Sequence, residues 1–178
     1  MTAKQRMLWM GVPAILLVMA AAWHLRASER AAAVEAATTQ MMTAAPQHVI
    51  YDEHADAKAE VNAAIAKAKA EHKRVILDFG GNWCGDCKVL DINFHKPENQ
   101  ELLAKYYLLV DIDIGRFDKN MDIGDRFGVP LKKGVPALAV VDGNGKTVLA
   151  QTGGEFADMR HMDPGVVHEF LEKWKPKG

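Results

Sequence analysis

The sequence predicts an α/β fold, a central mixed β-sheet flanked by helices, with an N-terminal hydrophobic helix ahead of it. Three observations predict it. Residues 75–79 and 107–114 are short, nearly continuous apolar runs, the pattern of strands covered on both faces. Residues 137–141 and 147–151 flank Asp142-Gly143-Asn144-Gly145, a turn signal that folds them into an antiparallel hairpin. Stretches with helical periodicity lie before, between and after these runs.

The elements follow in chain order. Lys4 and Arg6 precede an uncharged stretch from Met7 to Trp23, the layout of a secretory signal peptide or a short membrane anchor. As a helix it reaches about 25 Å, the short end of what crosses a hydrocarbon core of roughly 30 Å. Ala20 and Ala22 suit a signal peptidase, whereas Trp9 and Trp23 resemble interfacial anchors and tip the reading toward retention. Either way the remainder of the chain is expected to be exported, periplasmic in a bacterium. Residues 24–48, rich in Ala, Thr and Gln, read as a tether. The domain itself is expected over 49–178. A helix over 56–72 places Ala57, Val61, Ala64, Ile65 and Ala68 on one face. After the 75–79 strand, a helix is expected over 84–94; Pro97 breaks it, and 98–106 continues as further helix. A short helix is expected near 121–127. The last helix, 163–174, takes Asp163 as N-cap and Pro164 as its first residue, with Val166, Val167, Phe170, Leu171 and Trp174 on one face.

With 178 residues, 49% of them hydrophobic, the chain can build one modest core behind its N-terminal extension. A net charge of -1, with basic residues neither in excess nor gathered into a block, gives no reason to expect nucleic acid as a partner.

The chemistry is expected at the two cysteines, Cys84 and Cys87, in Trp83-Cys84-Gly85-Asp86-Cys87 directly after the first apolar run. A C-x-x-C at a strand-to-helix junction puts the first sulfur at a helix N-terminus, where unpaired N–H groups and the macrodipole favour a thiolate. Half of a zinc site and a structural disulfide are the alternatives. Zinc would require recruiting two histidines, and no metal is expected. A four-residue loop removes little chain entropy on closure, so a purely structural bridge explains little. A redox-active pair is the preferred reading.

Val75-Ile76-Leu77-Asp78-Phe79 leading to Trp83-Cys84-Gly85-Asp86-Cys87-Lys88, then Gly134-Val135-Pro136 before a second apolar strand, resembles the thioredoxin superfamily over about residues 55–175. Within it the chain is most similar to exported thioredoxin-like domains of the DsbD C-terminal type. Those carry Ala-Lys-x-x-x-Lys before the first core strand and Phe-x-x-Pro after the active-site helix, here Ala68 to Lys73 and Phe94 to Pro97. The resemblance implies a thiol-disulfide oxidoreductase without a cofactor. Cys84 would attack a substrate disulfide and Cys87 would resolve the mixed disulfide. Asp78 matches the buried acid that exchanges a proton with the resolving cysteine, through water; the lysine often found near that acid is absent, with Leu109 at the aligned position. Pro136 matches the superfamily's cis-proline, which would present the Val135 backbone to an extended substrate, and Trp83 would cover the sulfurs.

Asp86 adds an anion between the cysteines that opposes a thiolate on Cys84 while suiting the helix dipole, so Gly85 and Asp86 are candidates for tuning redox poise, toward a better reductant if repulsion wins. Expected partners are proteins with disulfides, a membrane or soluble electron-donor thiol protein, and the membrane itself if residues 7–23 are kept; a monomer is expected. Other uses of the thiols are a redox-dependent binding module or chaperone, and a metallochaperone. Two segments exceed the minimal pattern. Residues 115–133 read as a charged loop with a short helix. Residues 153–162 read as a solvated loop with incidental Met159 and Met162, or as the border of a docking groove.

Overall fold

The computed structural model describes residues 49–177 and Arg30; the expected anchor or signal segment (1–23) and most of the expected tether (24–48) lie outside the described residues. Among the described residues no helix is long and apolar enough to cross a membrane.

The elements run α1 (Ala57–Glu71), β1 (Arg74–Gly80), α2 (Gly85–Phe94), α3 (Pro97–Tyr106), β2 (Tyr107–Asp113), α4 (Met121–Phe127), β3 (Ala137–Val141), β4 (Thr147–Ala150) and α5 (Val166–Trp174), with single 3-10 turns at Leu131–Lys133 and Met159–His161. The sheet order is β2-β1-β3-β4. β1 pairs with β2 in parallel and with β3 antiparallel, and β3 with β4 antiparallel, so the sheet is mixed. Alternation along β1 divides the core: Val75, Leu77 and Phe79 join one apolar cluster with Val61 and Ile112, whereas Ile76 joins another with Leu90, Phe94, Leu138 and Leu171. A strand with helices on both faces is mostly apolar, and that requirement made β1 readable despite the buried Asp78 it carries.

Local signals account for the ends. The Asp56 side chain accepts from Ala59 N at 3.0 Å and caps α1. Pro97 opens α3, and Gly128, with φ of 78°, closes α4 in the left-handed region that glycine enters at little cost. The last helix departs from expectation. It begins at Val166 with Gly165 at the N-cap position, and the Asp163 carboxylate accepts from Gly165 N, two residues on, at 2.7 Å. The bond makes an Asx-type turn, and Asp163-Pro164 leads into the helix instead of starting it.

The hairpin turn packs against α1. A β-carbon on Gly143 would lie 2.6 Å from Lys69 Cα and 2.8 Å from Lys69 N, backbone that cannot step aside. Gly143→Ala is therefore expected to destabilise the fold by about 1–3 kcal/mol, readable by denaturant unfolding.

In the segment 153–162 Gly153, Glu155, Asp158, Arg160 and His161 are exposed, but the methionines are not incidental. Met159 is 2% exposed and packs with Phe156, Phe170 and Leu171, and Met162 is partly buried against the same cluster. Met159 is core and Met162 borders it, next to Arg160, whose contacts are described below.

Candidate active site

β1 ends beneath the start of α2. Cys84 is the N-cap of α2 and its Sγ accepts from Cys87 N at 3.1 Å, so the sulfur occupies the place an Asp or Ser oxygen takes at other helix starts. Cys84 and Cys87 are joined in a disulfide with Cα atoms 5.3 Å apart. Cys84 is 4% exposed and Cys87 fully buried, so approach from solvent reaches Cys84 first. The Val135–Pro136 peptide is cis, and Val135 O lies 3.6 Å from Cys84 Sγ. Pro130, in the similar Gly-Val-Pro context, instead leads into the Leu131–Lys133 turn.

Trp83 stands at the rim, 39% exposed, and is held in place by the first part of the 115–133 segment. Its Nε1 donates to Gly115 O at 2.6 Å, the Arg116 guanidinium sits 4.9 Å from its ring centre, and the Phe117 ring lies 5.8 Å away. Phe117 is itself 38% exposed and has φ of 68°, uncommon for so large a residue. Its backbone N–H and those of Asp118 and Lys119 all donate to Ile114 O, which fixes the turn.

Asp86 is nearly buried and does not stand alone. Its Oδ1 accepts from Arg160 N at 3.0 Å and from Arg160 Nε at 3.1 Å, and its Oδ2 pairs with an Arg160 terminal nitrogen at 3.0 Å. Desolvation pushes the carboxyl upward, but the Arg160 hydrogen bonds and charge outweigh it and hold Asp86 below the usual carboxylate range. The repulsion expected between Asp86 and a Cys84 thiolate is thus offset by a cation that the sequence pattern did not reveal. Gly85 begins α2, and a β-carbon there would make ordinary contact, 3.7 Å, with the Arg160 guanidinium.

Asp78 lies in β1, fully enclosed. Burial, then the charge of Asp111, raises its carboxyl well above the ordinary range; a hydrogen bond from Tyr51 works the other way. In the parallel ladder of β1 and β2, Asp111 is in register with Asp78 and Leu109 with Ile76. Tyr51 Oη donates to Asp78 Oδ2 at 3.0 Å, and Asp78 Oδ1 has no hydrogen-bond partner. Tyr51 in turn is tied to the loop before Trp83: Asn82 Nδ2 donates to Tyr51 O at 2.8 Å and Tyr51 N donates to Asn82 Oδ1 at 3.2 Å. Tyr51, Asn82 and Arg160 are the site residues that sequence reasoning missed. Among the described residues no group of three or more His, Cys, Asp or Glu side chains is placed to hold a metal ion.

A mixed sheet with this strand order, a C-x-x-C disulfide at the first turn of the helix after β1, and a cis-proline opposite it define the thioredoxin-like disulfide oxidoreductase fold. Residues 56–143 match the thioredoxin-like family model. The crystal structure of a disulphide isomerase from Xylella fastidiosa Temecula1 superposes with a TM-score of 0.68 at 40% identity, over 71% of this chain and 96% of that one. The chain belongs to the thioredoxin superfamily. It is also 40% identical over 58 residues to a thioredoxin H-type of Chlamydomonas reinhardtii, and 39% identical over 51 residues to the thiol:disulfide interchange protein DsbD of Vibrio cholerae. The match spans 51% of the first of these relatives and 8% of the second.

Proposed function

We propose that the protein is a thiol-disulfide oxidoreductase that reduces disulfides in protein substrates outside the cytosol. The observation that carries this is the placement of Cys84 Sγ at the N-terminus of α2, facing the Val135 carbonyl and shielding a fully buried Cys87. In the reduced protein, the Cys84 thiolate attacks one sulfur of a substrate disulfide and displaces the other as a thiolate. Cys87 then attacks Cys84 Sγ, the substrate's second sulfur leaves, and the pair is left oxidised. An extended substrate segment pairs with the Val135 backbone, while Trp83 covers its apolar side chains. Outside the cytosol the pair must be reduced again by a donor thiol protein, and the N-terminal apolar stretch supports that location.

The test is reduction of insulin disulfides with a chemical dithiol as donor. Thiol-dependent turnover supports the reading; stoichiometric peptide binding without turnover would replace it with the binding module.

Carboxylates near the sulfurs support a reducing poise, and Arg160 limits it. Arg160→Ala removes a positive charge near Cys84 and unmasks Asp86, both of which destabilise the thiolate. The reduction potential is then expected to move to more negative values by on the order of 10–30 mV. Asp86→Ala leaves Arg160 unopposed and should move it the other way. Equilibration with glutathione measures both, and shifts of the same sign would contradict the account.

A further inference from the structure

The buried acid and the buried sulfur meet at a third group. Tyr51 is fully enclosed, its hydroxyl donates to Asp78 Oδ2, and its backbone is stitched in both directions to Asn82 in the active-site loop. A β-carbon placed on Gly80 would collide with Tyr51 Oη and lie 2.9 Å from Cys87 Sγ. The hydroxyl and the sulfur therefore border the same point, kept clear by a residue with no side chain. Cys87 is fully buried, so bulk solvent cannot take the proton from its thiol directly.

We propose that Tyr51 relays the proton between Cys87 and Asp78 during resolution of the mixed disulfide, and that Gly80 is required for the relay. This rests on the thiol-disulfide exchange proposed above. As Cys87 Sγ–H passes its proton to Tyr51 Oη, Tyr51 passes its own to the Asp78 carboxylate, so the tyrosine ends as it began. The electron pair left on Cys87 forms the bond to Cys84 Sγ as the bond between Cys84 and the substrate breaks. The substrate sulfur departs as a thiolate and takes a proton from solvent. The two electrons have passed from the cysteine pair to the substrate, and Asp78 holds the proton until the pair is reduced and Cys87 takes it back. Burial keeps the Tyr51 hydroxyl far from ionising by itself, which suits simultaneous donation and acceptance.

Tyr51→Phe keeps the ring and removes the hydroxyl. The full chain, pre-reduced, is mixed with a chromophoric aryl disulfide, and the two steps are followed separately: formation of the mixed disulfide on Cys84, then its resolution. Resolution is expected to slow at least tenfold while formation changes less than twofold. The acid limb of the resolution pH profile should also move upward, since Asp78 loses the hydrogen bond that lowers it while Asp111 and Asp91 still raise it. Resolution within twofold of wild type, with an unmoved profile, overturns the relay. Should the variant not fold, the wild-type protein still decides: a curved proton inventory in mixed H2O and D2O shows two protons in flight, and a straight line overturns the proposal. If the wild type forms no mixed disulfide at all, the exchange reading has failed instead, a result distinguishable from a wild type that turns over beside an equally fast Tyr51→Phe.

Discussion

Cys84→Ser is expected to abolish dithiol-dependent reduction of insulin, a loss of at least roughly a thousandfold, because a serine hydroxyl neither ionises near neutral pH nor attacks sulfur. Cys87→Ser should behave differently. It keeps the attacking thiolate but cannot resolve the intermediate, so substrates should accumulate as mixed disulfides with Cys84, visible on non-reducing gels and identifiable by mass spectrometry. The contrast follows from the two burials: the sulfur nearer solvent starts the reaction and the enclosed one ends it. Mixed disulfides formed equally by both variants, or by neither, would contradict that division. Neither substitution should unfold the chain, since the bridge closes a loop of only four residues.

Asp78→Asn is expected to act in opposite directions on rate and stability. Loss of a positioned base should slow resolution by roughly a hundredfold. Stability should rise at alkaline pH. The carboxyl is raised above its unfolded value by burial and by Asp111, so the folded chain holds a proton that the unfolded chain has already released. Wild-type stability therefore falls as pH climbs from the unfolded value, near 4, through the folded one, and stays lower above it. Asparagine carries no such charge. At pH 9 the variant should be about 1–3 kcal/mol more stable than wild type, and at pH 3 the two should be alike, as denaturant unfolding would show. A variant that gains nothing at pH 9 would mean that the acid is better solvated than its enclosure indicates.

The elements that sequence made legible are those whose signals are local. β1 and β2 announce themselves by nearly continuous apolar runs, the hairpin by its turn residues, and Cys84 by its place between strand and helix. The start of α5 lies two residues beyond the expected Pro164, at Val166, although the Asp163 carboxylate still accepts from Gly165 N just ahead of it. What stayed hidden depends on distance along the chain. Tyr51 meets Asp78 across 27 residues, Asn82 meets Tyr51 across 31, and Arg160 meets Asp86 across 74. No periodicity or spacing carries such pairings, since each partner is an ordinary polar or aromatic residue in an ordinary local context. The methionines of segment 153–162 were misread for the same reason: they look surface-like until the apolar cluster with Leu90, Phe170 and Leu171, distant in sequence, takes Met159 in.

The tie between Asn82 and Tyr51 bears on where the working unit of this protein begins. A fragment starting at residue 56, where the family match opens, would keep every strand of the sheet and both sulfurs. It would nevertheless lack the tyrosine that caps the enclosed acid, leaving both carboxylate oxygens without a donor and a void of aromatic size below the active-site loop. Trimming the chain to the family-model match would remove a residue hydrogen-bonded to the enclosed acid, so a fragment that keeps this contact begins upstream of residue 56.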